Sequence, residues 1–220
     1  MAIEVSSHTR SGNWRVREWF PDLSEKTLLQ LSSFHTELLT FNRAINLISS
    51  RTELDADLIH FADAILGSKL VLNDFNGSEI YDFGSGNGLP GIVLATLAPS
   101  HRVHLVESDA RKVEFLKYVV AKLGLRNAII HLSRVEDLPA DSVDAVVSRG
   151  FASIQKSLLL ARRSCRVNAK YFHFKGEAWV KEVTDIPSQM CRFWIPMHVA
   201  DYSLPLGNAK LSLVATKKMA

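Results

Sequence analysis

Cysteine is scarce in this chain: there are two among 220 residues, Cys165 and Cys191. Two thiols give neither a disulfide framework nor a metal-ligand cluster, and they suit a reducing compartment. Long apolar runs are missing as well, and none approaches the roughly 18 residues of a membrane span. The opening MAIEVSSHTRSG lacks a basic-then-apolar pattern, so the expectation is a cytoplasmic protein without membrane attachment. Repeats and low-complexity tracts are absent too. What is present is ordinary for a globular chain: 47% apolar and 22% charged residues, enough length for one well-buried α/β domain with an appendage.

Charge is nearly balanced overall, at +3, but unevenly placed. Residues 1–99 carry 7 Lys/Arg against 12 Asp/Glu, whereas residues 100–180 carry 14 against 8. That basic excess suits either a polyanion such as RNA or a plain solvated face.

The pattern starts helical. Asp22 with Glu25 reads as a capping-box start, followed by Leu28, Leu31, Phe34 and Leu38 at helical spacing. A second helical stretch is expected from about residue 53 to Leu72, with FNRAINLISSRTE as an irregular, polar connection. After the loop NDFNGSE the rhythm becomes strands alternating with helices. Strands are expected at 79–83, 102–107, 127–132, 143–148 and 170–175, with helices at 89–98, 109–123, 152–163 and 176–184. Two last runs, 193–199 and 209–216, read as an antiparallel hairpin. The expectation is an α/β fold with a mostly parallel sheet covered on both faces. Residues 1–76 form a helical extension and 77–220 the sheet domain.

The most informative stretch is IYDFGSGNGLPGIVLA, residues 80–95. Its glycines sit between the first strand and a helix, where a parallel sheet binds ligands. The lysine of a phosphate loop does not follow, and Leu89 stands where a dinucleotide fingerprint needs glycine. The pattern is D-x-G-x-G-x-G, which suits S-adenosylmethionine, a cofactor with no phosphate for a helix N-terminus to hold. Close backbone approach at Gly84 and Gly86 would take its methionine part. Glu107 ends the second strand, 21 residues after Gly86, where a carboxylate can accept ribose hydroxyls. A nicotinamide enzyme would use the same carboxylate.

For methyl transfer the residues narrow the chemistry. No proline precedes Cys165 or Cys191, and SRGFAS (148–153) replaces the Pro-Pro-aromatic loop of exocyclic-amine methylation. Guanine N7 needs no proton removed, so alignment alone can serve.

Together FNRAINLISS with His60 and Asp63, DFGSGNGLPG, LVES with Arg111 and Lys112, SRVED (133–137), SRGFAS and FKG (174–176) carry a resemblance. The chain resembles the RsmG (GidB) family of 16S rRNA guanine-N7 methyltransferases, from about Phe41 to Lys175. The resemblance implies a Rossmann-like class I S-adenosylmethionine-dependent methyltransferase. Its substrate would be a guanine in the decoding region of 16S rRNA, presented as RNA, small ribosomal subunit or assembly intermediate, and the enzyme would act as a monomer. The resemblance places cofactor contacts at Gly84, Leu89, Val135, Glu136 and Arg149, and the reading of the loop and strand end adds Ser85, Gly86, Gly88, Glu107 and Ser108 to the expected set. Arg134 and Lys175 are expected near RNA or the target base, with Asn46 and His60 bordering the site and neither a metal nor a general base required. His60 equally suits an apolar core, Asn46 a turn, and the run ARRSCR (161–166) a helix C-terminus rather than RNA. The family usually has Trp, Tyr, Thr and Ala where this chain has Phe41, Ile45, Ile48 and Gly150. Other readings remain: methylation of a small molecule or protein, a nicotinamide oxidoreductase, or a non-catalytic RNA-binding factor.

Overall fold

The computed structural model describes residues 12–207 and 210–220. The first 11 residues of the opening stretch, and Ala209 of the expected last strand, lie outside the described residues. A short helix α1 (Val16–Trp19) leads into α2 (Glu25–Ile45). The cap of α2 is Ser24 rather than Asp22. Ser24 stands directly before the first helical residue, and its Oγ accepts the Thr27 N–H at 3.1 Å. Asp22 is two residues too early and instead pairs with Lys69 at 2.6 Å.

The segment expected to be irregular is half helical, because α2 continues through Ile45. Asn42 makes this possible. Its side-chain carbonyl accepts the N–H groups of Leu47 and Ile48 at 2.6 and 2.8 Å, and its amide donates to Glu53. Asn46 ends the helix with φ of 47°, a left-handed conformation that asparagine tolerates. The helix expected from about residue 53 to Leu72 is present, opening as a π-helical stretch (Asp57–Ala62) that continues directly into α3 (Asp63–Asp74), and a 3-10 turn (Ser50–Thr52) precedes it.

The sheet has seven strands in the order β3-β2-β1-β4-β5-β7-β6. They are β1 (Glu79–Phe83), β2 (Arg102–Glu107), β3 (Ala128–Leu132), β4 (Val143–Arg149), β5 (Cys165–Gly176), β6 (Trp194–Ser203) and β7 (Lys210–Lys218). The first five run parallel, and β7 inserts antiparallel between β5 and β6, so the expected terminal hairpin is present. β5 begins five residues before the expected 170, beyond a register shift opposite Val143 and Ala145. Between the strands lie α4 (Gly91–Leu97), α5 (Ala110–Leu123), α6 (Ile154–Ala161) and α7 (Trp179–Thr184).

Alternate strand residues face opposite layers. Ile80, Leu105, Val147 and Phe172 pack with Phe34, Leu38, Phe61 and Ile65 from the N-terminal helices in one continuous core that also includes residues of α4 and α5. Tyr81, Phe83, Val106 and Tyr171 face α6 and α7 with Ile154, Leu158 and Trp194. Each large side chain fully buried there contributes about 1.5–3 kcal/mol. Packing of α3 on β5 is close: a Cβ at Gly67 would stand 2.1 Å from the Phe174 ring. The N-terminal helices are thereby fixed against the sheet whose carboxyl ends form the site. Among the described residues no helix is long and apolar enough to cross a membrane.

Candidate active site

Chain order runs outward from β1 through β2 to β3, then returns to place β4 on the other side of β1. The carboxyl ends at that reversal open a crevice, and a cavity of about 750 Å³ lies there. The glycine loop forms its floor. Gly84 and Ser85 donate their N–H groups to the Val106 carbonyl at 2.9 and 3.0 Å. The next N–H, of Gly86, reaches Glu107 Oε2 at 2.9 Å. Gly84 and Gly86 hold φ of 70° and 51°, a region that side chains disfavour. A Cβ at Gly84 would stand 2.3 Å from the Phe151 ring, whereas one at Gly86 meets nothing closer than 3.6 Å. The backbone at Gly86 is thus bare toward the cavity, as close approach by a ligand requires.

Behind the loop sits Asp82, fully buried. Its Oδ2 accepts the Gly91 N–H at 3.0 Å, and its Oδ1 has no partner. Burial pushes this carboxyl up to about 7, against the opposing hydrogen bond from the Gly91 N–H. Gly91 is required by the same packing, since a Cβ would lie 2.3 Å from Leu105 and 2.5 Å from Asp82 Oδ2.

Glu107 is 9% exposed and borders the cavity. Oε1 accepts the N–H groups of Ser108 and Asp109 at 2.7 and 2.8 Å, and Oε2 that of Gly86. A carboxylate offers about four acceptor positions, so Glu107 keeps acceptor capacity for a ribose hydroxyl while its orientation is locked. Val135, buried, and Glu136, exposed, form the wall leaving β3. The fit to S-adenosylmethionine is good: bare glycine backbone, a fixed carboxylate and an apolar valine line one cavity of ligand size.

Arg149 enters from the end of β4 and is held by two partners. Its Nη1 lies 3.2 Å from His60 Nδ1 and 3.2 Å from Asp63 Oδ2. Asp63 Oδ1 in turn accepts the Tyr202 hydroxyl at 2.7 Å. Guanidinium only donates, so His60 Nδ1 must be the bare nitrogen. Thr52 donates its hydroxyl to the Ser49 carbonyl at 2.9 Å, leaving its oxygen to accept from His60 Nε2 at 2.9 Å. The tautomer is therefore fixed as Nε2–H. Burial first, and the Arg149 charge second, push His60 down to about 3. It is a neutral support for Arg149, with both nitrogens engaged.

Ten of the expected residues line the cavity together: Gly84, Ser85, Gly86, Leu89, Glu107, Ser108, Arg134, Val135, Glu136 and Arg149. Four do not. Gly88 turns inward, where a Cβ would stand 2.6 Å from Ile92 and 3.1 Å from Phe34. Asn46 is the left-handed end of α2, His60 stands behind Arg149, and Lys175 bonds the Ala152 carbonyl and Glu182. The departures Phe41, Ile45 and Ile48 are also outside the cavity. Phe41 packs on Phe115 and Tyr118 of α5, and the two isoleucines join the core. Gly150, the fourth departure, lies in the lining with φ of 64°.

Sequence reasoning did not single out Leu47, Phe151 or Lys156 as site residues, nor Tyr202 as a partner of Asp63. Phe151 had a signal, an aromatic two residues after β4 at the ligand end of the sheet. Tyr202 had none, since only the β6–β7 pairing brings it to Asp63. Lys112, quoted above for its motif alone, also lines the cavity. For the arginine run, the cation that serves the end of α6 is Lys218, whose Nζ donates to the carbonyls of Arg162 and Cys165.

Topology, glycine loop and carboxylate at the end of β2 together define a class I S-adenosylmethionine-dependent methyltransferase. Solved structures agree on the fold. A SAM-dependent methyltransferase from Aquifex aeolicus matches with a TM-score of 0.52 at 18% identity, covering 83% of this chain and 97% of that one. A SAM-dependent O-methyltransferase from Thermotoga maritima gives 0.52 at 16% identity over 72% and 65%. Within that class the chain belongs to the GidB family, rRNA small subunit methyltransferase G, which matches residues 27–193. The ribosomal RNA small subunit methyltransferase G 3 of Bdellovibrio bacteriovorus is 44% identical over 209 residues, 94% of each chain.

Proposed function

We propose that the protein methylates N7 of a guanine in the decoding region of 16S rRNA, using S-adenosylmethionine. One observation carries the N7 assignment beyond the family: among the described residues the carboxylates lining the cavity, Glu107 and Glu136, both belong to the walls read above as the cofactor's, and the other ionisable side chains there are Lys and Arg. Glu107 is engaged by three backbone N–H groups. Glu136 is exposed and is assigned to the cofactor's hydrogen bonds, Asp82 is sealed beneath the loop, and His60 has no vacant nitrogen. Guanine N7 presents a lone pair and loses no proton on alkylation, so such a site suffices for it. An exocyclic amine or a hydroxyl would lack its base.

The cofactor, when bound, supplies an electrophilic methyl group. Gly84 and Gly86 make room for it, Glu107 orients its ribose, Val135 packs on its adenine, and Glu136 offers hydrogen-bond acceptors. Arg149, braced by Asp63 and His60, fixes the β4 side of the crevice. Arg134, Lys112 and Lys156 bring positive charge to the same cavity, which suits RNA phosphates. The N-terminal extension, through residue 76, adds Leu47 to the wall from the turn after α2. The substrate is the 16S rRNA, alone or in the small subunit or its precursor, met by a cytoplasmic monomer.

The test uses small ribosomal subunits from cells without their own guanine-N7 activity, purified protein and labelled S-adenosylmethionine. Digestion and mass spectrometry should find the label in 7-methylguanosine from one site. Label in another nucleoside, or none despite measured cofactor binding, would reject the assignment.

A further inference from the structure

The loop after β4 contains a second piece of machinery. Gly150 has φ of 64° and open space where its Cβ would be, and this turn delivers Phe151 into the cavity. Among the described residues Phe151 is the one aromatic side chain in the lining. Its ring rests against the α-carbon of Gly84, as the 2.3 Å distance to that residue's absent Cβ records. The ring is only partly buried, so apolar surface stays open to the cavity.

The chain behind the ring is fastened twice. Lys175 Nζ donates to the Ala152 carbonyl at 3.0 Å and to Glu182 Oε2 at 2.7 Å. The same Glu182 oxygen accepts the Ile154 N–H at 2.8 Å. The Lys175 side chain is only 14% exposed, and its ammonium is engaged on both sides. This is the arrangement of a residue that holds a loop, and it leaves little of Lys175 to meet a phosphate.

We infer that Phe151 stacks on the target guanine and that Lys175, with Glu182, is the positioning residue that holds the ring in place. The inference rests on the reading of the protein as a guanine methyltransferase of RNA. A base taken out of its helix or loop loses its neighbours and needs a flat apolar surface to replace them. The rest of the lining is glycine, aliphatic or polar, and Phe151 alone offers such a surface. Its contact with Gly84 sets the ring beside the glycine loop, where a stacked base would meet the methyl donor.

The test compares wild-type protein with Phe151→Leu, Phe151→Tyr, Lys175→Ala and the double variant Phe151→Leu/Lys175→Ala. Leucine keeps apolar bulk and folding but has no π-face; tyrosine keeps both. On small subunits, Phe151→Leu should lower kcat/KM on the order of 10- to 100-fold, with cofactor Kd by titration calorimetry unchanged. Phe151→Tyr should restore activity. Lys175→Ala should also lower kcat/KM, and the double variant should be no worse than Phe151→Leu alone, because both act through one ring. Full activity in Phe151→Leu, or a cofactor Kd that weakens in step with activity, would overturn the stacking role. Additive losses in the double variant would overturn the positioning role. A wild-type protein that labels no guanine would instead refute the functional reading beneath both.

Discussion

Acidification should destabilise this protein more steeply than its exposed charges suggest, and the slope can be worked out from four buried groups. Burial pushes His35 down to about 4, and His60 and His173 to about 3. In an unfolded chain each returns to about 6.5, so near pH 5 unfolding takes up about three protons. The histidine contribution is fully present above 6.5 and is lost as pH falls toward the folded values. Asp82 acts oppositely: burial raises it to about 7 from 3.8. Its contribution is fully present below 3.8 and is lost as pH rises through 7, so near pH 5 unfolding releases one proton. The net uptake is about two protons, and stability should fall by about 2.7 kcal/mol for each pH unit of acidification. His104 and His131, also held low by burial, add in the same direction. Urea denaturation at constant ionic strength, from about pH 6 to about pH 4.5, measures the slope. His35→Phe is a sharper check. His35 is enclosed by Trp14 and Phe61 with its Nε2 unpartnered, so phenylalanine should fit while removing about one proton, roughly 1.4 kcal/mol per pH unit. A flat profile, or a slope unchanged in His35→Phe, would refute the reasoning.

Three further outcomes are expected. Gly91→Ala puts a Cβ 2.3 Å from Leu105 and 2.5 Å from Asp82; overpacking of this kind costs about 1–3 kcal/mol, read as a lower Tm by calorimetry. Arg149→Ala leaves the Asp63 carboxylate, 10% exposed, without its cation. It should lose about 3 kcal/mol of stability and weaken cofactor binding in titration calorimetry; a variant that keeps both would remove Arg149 from the site. Lys156→Ala should leave cofactor affinity intact while reducing the slope of log affinity for RNA against log salt by about 1, measured by filter binding. An unchanged slope would mean that Lys156 meets no phosphate.

The two supports of the site differ in kind. Glu107 is locked by backbone N–H groups from its own strand end and from the glycine loop, so its orientation follows once β1 and β2 pair. Arg149 depends on side chains from two separate places: His60 and Asp63 on one helical stretch, and Tyr202 on β6 through Asp63. Buried ion pairs are costly to assemble and costlier to break. The β4 side of the crevice is therefore tied to the N-terminal helices, whose core is continuous with the sheet.

Local pattern determined much of this molecule. Strand–loop–helix alternation gave the parallel sheet, and a late pair of β runs without a helix between them gave the terminal hairpin. The glycine loop and Glu107 marked one cavity because both lie at strand ends, and parallel pairing brings neighbouring strand ends together. Helix limits in the first third were less legible, since Asn42 and Ser24 set them through individual hydrogen bonds that composition does not reveal. Side-chain direction was the least legible. Gly88 shares the glycine loop with lining residues, and His60 and Lys175 belong to motifs of the same resemblance, yet the packed structure turns His60 toward Arg149, Lys175 toward Ala152 and Gly88 into the core. Phe151, Lys156 and Tyr202 reach their places from far along the chain through strand order and helix packing. Local sequence fixes which backbone shape a segment takes, whereas the partner a side chain meets is chosen by every element that folds against it.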